Sequence, residues 1–129
     1  MPLIRISLRA GKPAAYRAAL GEGVYAALRE TFGVPEDDRF VMIHEHEVEN
    51  FAYGAGYLGI ARSDDLVIVQ ITCNDTRSLA QKRALYRRIV DTLVGDPGLR
   101  AEDVLINLVE VKTENWSFGN GLAQYADPA

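Results

Sequence analysis

Pro2, Asp38, Arg77 and Trp116 are a proline one residue from the chain start, a carboxylate, a guanidinium and an indole, spread over 129 residues. Gathered in one place, they would combine proton handling, a fork for oxyanions and an apolar wall. Taken apart, each has a plain structural role. Pro2 can open a strand, Asp38 can shape a turn, Arg77 can sit solvated at a helix start, and Trp116 and its neighbour Phe118 can simply pack. Other candidates carry less. His44-Glu45-His46 puts two histidines on one strand face, a spacing that can bind metal, yet no third ligand is evident and a solvated or interface role competes. Cys73, the single cysteine, permits no internal disulfide and reads as a small buried hydrophobe. Gly54-Ala55-Gly56 has no helix after it and so lacks the context of a phosphate cradle. Lys82-Arg83 with Arg87-Arg88 reads as a solvated basic helix face.

The elements that must position these residues are written twice. A 65-residue shift, without gaps, lays Ile4 and Ile6 on Val69 and Ile71, and Leu20, Val24 and Leu28 on Leu85, Ile89 and Leu93. The same shift lays Gly33 on Gly98, Asp38 on Asp103, and Val41 and Ile43 on Ile106 and Leu108. A register held through three successive elements marks a structural repeat. Each unit reads β-α-β. Ile4, Ile6 and Leu8 alternate with Arg5, Ser7 and Arg9 as in a half-buried strand. Pro13 suits a first helical turn, Tyr16, Leu20, Val24, Leu28 and Phe32 follow at helical spacing, and Gly33 with Pro35 ends that helix. A second strand is expected over residues 39–48. In the second unit we expect a strand over 66–73, a helix capped by Ser78 and ending near 95–97, and a strand over 104–111. Residues 49–63 are expected to form a loop or a short hairpin. The whole chain, 1–129, reads as one domain, with units at 2–48 and 67–112 and a tail at 113–129.

Two β-α-β units give a four-stranded mixed sheet with both helices on one face, because such crossovers are right-handed. Alternate positions on the other face, including Leu3, Leu66 and Ile68, are apolar and need cover, which self-association would supply. If the units pair antiparallel about a pseudo-two-fold, Pro2, Asp38, Arg77 and Trp116 meet at one sheet edge.

Composition bounds the partners. Hydrophobic residues make up 48% and charged residues 25%, with a formal net charge of −4. The balance is that of a folded globular chain and argues against nucleic acid or an anionic membrane surface as the main partner. No apolar run approaches the ~18 residues of a membrane span. The start of the chain reads as a strand and not as a signal peptide, so a cytoplasmic location is expected.

In Met1-Pro2-Leu3-Ile4, the Phe32-Gly33-Val34-Pro35 turn followed by Asp37-Asp38-Arg39, the Arg77-Ser78 helix start, and the run Glu114-Asn115-Trp116-Ser117-Phe118-Gly119-Asn120-Gly121, the chain resembles the tautomerase superfamily. It looks most like the longer members related to malonate semialdehyde decarboxylase. The resemblance implies a homotrimer, removal of Met1, and a free Pro2 nitrogen as the catalytic acid or base. It further implies that Asp38 activates water or assists proton transfer, that Arg77 binds a substrate carboxylate, and that Trp116 and Phe118 form an apolar wall. The decarboxylase pattern has two arginines near this turn, whereas Cys73-Asn74-Asp75-Thr76-Arg77 supplies one. The expected activity is keto–enol tautomerisation of a small oxo or enol carboxylic acid, without metal or organic cofactor. Decarboxylation or hydration of a 3-oxo acid such as malonate semialdehyde is one alternative, and a non-catalytic trimeric binding protein the other.

Overall fold

The computed structural model describes residues 1–127. Strand β1 runs Pro2–Arg9, helix α1 Ala14–Phe32, strand β2 Val41–His46, strand β3 Val67–Asn74, helix α2 Leu79–Gly95 and strand β4 Val104–Val111. The sheet order is β2-β1-β3-β4, with β1 parallel to β2, β3 parallel to β4, and β1 antiparallel to β3. This is the mixed sheet expected of two tandem β-α-β units.

The repeat holds to the residue. Ile4 pairs with Val41 on β2, and the 65-residue shift carries that pair onto Val69 and Ile106, which pair on β4. At the antiparallel seam Arg5 lies opposite Gln70, its own counterpart. The pseudo-two-fold axis therefore passes between those two residues. The repeated apolar positions fill the core: Ile4, Ile6, Leu20, Val24 and Leu28, with Val69, Ile71, Leu85, Ile89 and Leu93, are each 0% exposed. Losing any one of these leucines to alanine removes about 2–5 kcal/mol, because a close-packed site collapses only partly.

Local signals explain the ends of the helices. Gly33 ends α1 in the left-handed region at φ 67°, where glycine carries no Cβ clash. Ser78 caps α2 in a reciprocal box with Gln81, satisfying two amides that otherwise lack partners. Gly23 lets the helices close on each other, since an added Cβ would stand 2.9 Å from Leu93 Cδ2.

Two expectations shift, and one open alternative is decided. Strand β2 is shorter than 39–48, beginning at Val41 and ending at His46; the preceding residues belong to the turn that carries Asp38. Of the two readings of residues 49–63, the loop holds and the hairpin does not: the segment between β2 and β3 carries two short 3₁₀ turns, Val48–Asn50 and Tyr57–Gly59. Leu66, expected on the uncovered sheet face, is 1% exposed. The loop lies over that end of the face, where Ala52, Tyr53 and Tyr57 share a cleft with Leu66, Ile68 and Leu105. Elsewhere the face stays open, with Met42 and Val109 at 36% and 37% exposure. Among the described residues no helix is long and apolar enough to cross a membrane.

Candidate active site

The turn between α1 and β2 sets Asp38. Beyond Gly33 the chain doubles back, with the Asp38 amide donating to the Pro35 carbonyl at 3.1 Å and the Arg39 amide to Asp37 at 3.0 Å. The Tyr25 hydroxyl reaches out of α1 to the carbonyls of Pro35 and Glu36 and ties the turn to the core. The Ile4 amide donates to the Phe40 carbonyl at 2.9 Å, which brings the turn against the start of β1. Asp38 Oδ2 then lies 3.7 Å from the terminal nitrogen of Met1, with the two side chains 14% and 6% exposed. The other oxygen, Oδ1, is buried and has no hydrogen-bond partner. A buried carboxylate oxygen left open in this way marks a place where a proton or a donor can be received.

Its repeat counterpart shows what a closed version looks like. Asp103 is fully buried, and it accepts from the Ser63 amide at 2.7 Å and the Ser63 hydroxyl at 2.6 Å, with Arg100 Nη1 at 3.6 Å. Ser63 precedes β3 as the chain start precedes β1. The same acidic position is therefore saturated in the second unit and open in the first. Asp103→Ala would strand both Ser63 donors and the loop they hold, so a loss of about 3 kcal/mol is expected. Urea unfolding checks it.

Around Asp38 a pocket of about 370 Å³ is lined by Met1, Pro35, Asp37, Phe40, Phe118 and Tyr125. Its wall is an aromatic stack. Trp116 lies parallel to Phe118 at 5.5 Å, and Tyr125 meets Phe118 edge-on at 4.8 Å. Trp116 Nε1 donates to Asn74 Oδ1 at 2.7 Å. The Gln124 side chain accepts from the Phe118 amide and donates to the Gly119 carbonyl, both at 2.9 Å. Burial and the charge of Asp38 push the Tyr125 hydroxyl up, against a smaller opposing effect of Arg77, so it stays a proton donor at neutral pH.

The expected residues meet in part. Pro2 is buried at the head of β1, opposite Cys73, and Asp38 and Phe118 share the pocket. Trp116 stands one layer back, as support for Phe118. Arg77 is not in the pocket lining. It donates to the Phe32 carbonyl at the end of α1 at 3.0 Å and to Thr76 Oγ1 at 2.7 Å, with its guanidinium 4.8 Å from the Phe32 ring centre. Two of its five donors are thus in use. The sequence pattern gives no role to Tyr125, Gln124 or Asn74: the first two lie in the aperiodic tail, and Asn74 ends β3.

The remaining candidates lie elsewhere. Burial and, secondarily, Glu110 push the Cys73 thiol up, which keeps it an inert thiol. On the basic helix face Lys82 pairs with Glu110 and Arg88 with Glu30, each at 2.6 Å. His44 and His46 face the open side of the sheet, and among the described residues no group of three or more potential metal ligands occurs.

The doubled β-α-β sheet and the carboxylate at its N-terminal edge define the class: the chain belongs to the tautomerase family, two of whose models, both described as tautomerase enzyme, match residues 2–60 and 38–119. It is a tautomerase-superfamily enzyme. Among known proteins it is similar to the probable tautomerase YusQ of Bacillus subtilis (strain 168), with 39% identity over 124 residues, 96% of this chain and 98% of the relative. A solved malonate semialdehyde decarboxylase, described with decarboxylase and hydratase activities, is 30% identical with a TM-score of 0.90 over 96% of this chain and 95% of that one. A fused 4-OT, described as a symmetric trimer, shares the fold at 22% identity and a TM-score of 0.78, over 96% and 98% of the two chains.

Proposed function

We propose that the protein, once Met1 is removed, catalyses keto–enol tautomerisation of a small carboxylated oxo or enol acid at the pocket beside Asp38. The observation that carries this reading is the open Asp38 carboxylate at the chain's terminal nitrogen, in a position its repeat counterpart fills with Ser63. While Met1 is attached, the Pro2 nitrogen is an amide and holds no basic lone pair. Freed, it is a secondary amine. Terminal amines ordinarily titrate near ~8 and fall lower when desolvated, which suits proton transfer at neutral pH. Pro2 takes the proton from the enol oxygen and delivers one to the neighbouring carbon, and Asp38 relays the proton or holds a water. Phe118, backed by Trp116, keeps the reacting centre dry. The donors of Arg77 not spent on Phe32 and Thr76 take the substrate carboxylate, for which a planar fork is suited.

Decarboxylation or hydration of a 3-oxo acid is the second reading, favoured by the 30% identity to malonate semialdehyde decarboxylase across nearly all of both chains. Phenylenolpyruvate ketonisation, followed by loss of enol absorbance, is expected with the processed protein. Carbon dioxide release from malonate semialdehyde, without enol turnover, would favour the second reading. Arg77→Ala should raise KM for the acid about tenfold or more while changing kcat less, since carboxylate binding is shared by ground and transition states. A comparable fall in kcat alone would remove Arg77 from that role.

The open sheet face supports assembly as a homotrimer. Leu3, Met42, Ile68, Leu105 and Val109 share it by register, and a partner copy would remove this surface from water. Sedimentation at micromolar concentration should give three times the monomer mass, and a monomer would contradict this.

A further inference from the structure

The open face also carries a polar groove that shares no residue with the Asp38 pocket. It encloses about 340 Å³ beside Arg5 and Ser7 of β1, His44 and His46 of β2, Gln70 of β3 and Asn107 of β4. The sheet register explains the grouping: Arg5 lies beside Gln70, Gln70 beside Asn107, and Ser7 beside His44. Being two residues apart on one strand, the two imidazoles project to the same side.

These groups share an unmet need. Nε2 of His44 and Nε2 of His46 are both buried without a hydrogen-bond partner. Arg5 makes no ion pair among the described residues, and no carboxylate lines the groove. The nearby acids are committed elsewhere. Asp64 pairs with Arg9 at 3.0 Å, and Glu45 turns to the helix side, where Arg17 holds it at 3.3 Å. Gln70 Nε2 donates to Asn107 Oδ1 at 3.2 Å, which braces the far wall. In a single chain water can solvate the exposed guanidinium of Arg5. Once a second copy covers the surrounding apolar residues, that charge and the two imidazoles lose their water together, and an unpaired charge enclosed there is expensive.

We propose that this groove binds a small anion with several oxygens, a polycarboxylate or a phosphate. The Arg5 fork supplies the charge, and the Nε2–H groups of His44 and His46 act as further donors. The site stands apart from the acid–base pocket and does not depend on the activity assigned there.

The chain contains only two histidines, so their imidazole proton signals report on the groove directly. The full chain is titrated with inorganic phosphate and, separately, with citrate, with chloride holding the ionic strength constant. Both histidine signals are expected to shift to saturation, and the tighter of the two anions identifies the ligand as phosphate or polycarboxylate. Arg5→Gln, a change at an exposed position, should weaken that binding about tenfold or more while enol turnover stays unchanged. The absence of a saturable shift with either anion, or undiminished affinity in Arg5→Gln, would overturn the proposal.

Discussion

Asp38→Asn is expected to lower kcat for enol ketonisation by roughly 10²–10⁴-fold, the usual worth of a positioned acid–base group. The substitution is nearly isosteric and removes the carboxylate charge, together with its 3.7 Å ion pair to the terminal nitrogen. The turn around it is set by main-chain bonds and by Tyr25, none of which involves the Asp38 side chain. Oδ1 has no hydrogen bond to lose, and the ion pair of Oδ2 with the terminal nitrogen is the contact at stake, so stability should change by no more than about 1 kcal/mol. Asp103→Ala is the mirror experiment, costing stability and sparing the chemistry. A stable Asp38→Asn protein with full turnover would show that the open carboxylate is only a turn residue. An Asp38→Asn protein that unfolds in parallel with its loss of activity would show a structural role like that of Asp103.

The second large effect concerns Met1. Protein that retains it should turn over the enol at no more than about one thousandth of the rate of protein beginning at Pro2, because an amide nitrogen cannot accept the proton. Sterics act in the same direction. The Met1 side chain is 6% exposed and lines the pocket, so it competes for the space the substrate would use. Intact mass assigns each preparation, and a mixed preparation should show activity proportional to its processed fraction. For the processed enzyme, kcat/KM should rise with pH as the terminal amine loses its proton. Equal rates with and without Met1 would exclude the terminal nitrogen from the reaction.

The legible part of this protein was the part written in periodicity. Ile4, Leu20 and Leu28, with Val69, Leu85 and Leu93, announce the core because a half-buried strand and an amphipathic helix each impose a fixed spacing on apolar residues. The 65-residue shift showed which positions of the two halves are equivalent, and the strand pairings of the two halves repeat with the same shift. Gly33 and Ser78 were readable because helix ends have local chemical requirements. Asp38 could be placed at the sheet edge from topology alone. Its open oxygen could not, since that depends on what the chain start does not supply and Ser63 does. Arg77 illustrates the same limit: its guanidinium donates to the Phe32 carbonyl, a contact between the turn before α2 and the end of α1 that no local pattern encodes. Tyr125 and Gln124 sit in a tail without periodicity and become site residues only when the tail folds back across Phe118. The loop at 49–63 lacks any repeat, so its cover over Leu66 was invisible.

Turnover of phenylenolpyruvate by protein whose amino terminus is verified as Pro2, set beside a Pro2→Ala variant that has likewise lost Met1, tests the central claim most directly. Rapid loss of the enol signal with the proline terminus, and a rate lower by about tenfold or more with alanine in its place, is the predicted result. Full activity in Pro2→Ala would contradict the assignment of the chain's first proline as the proton carrier.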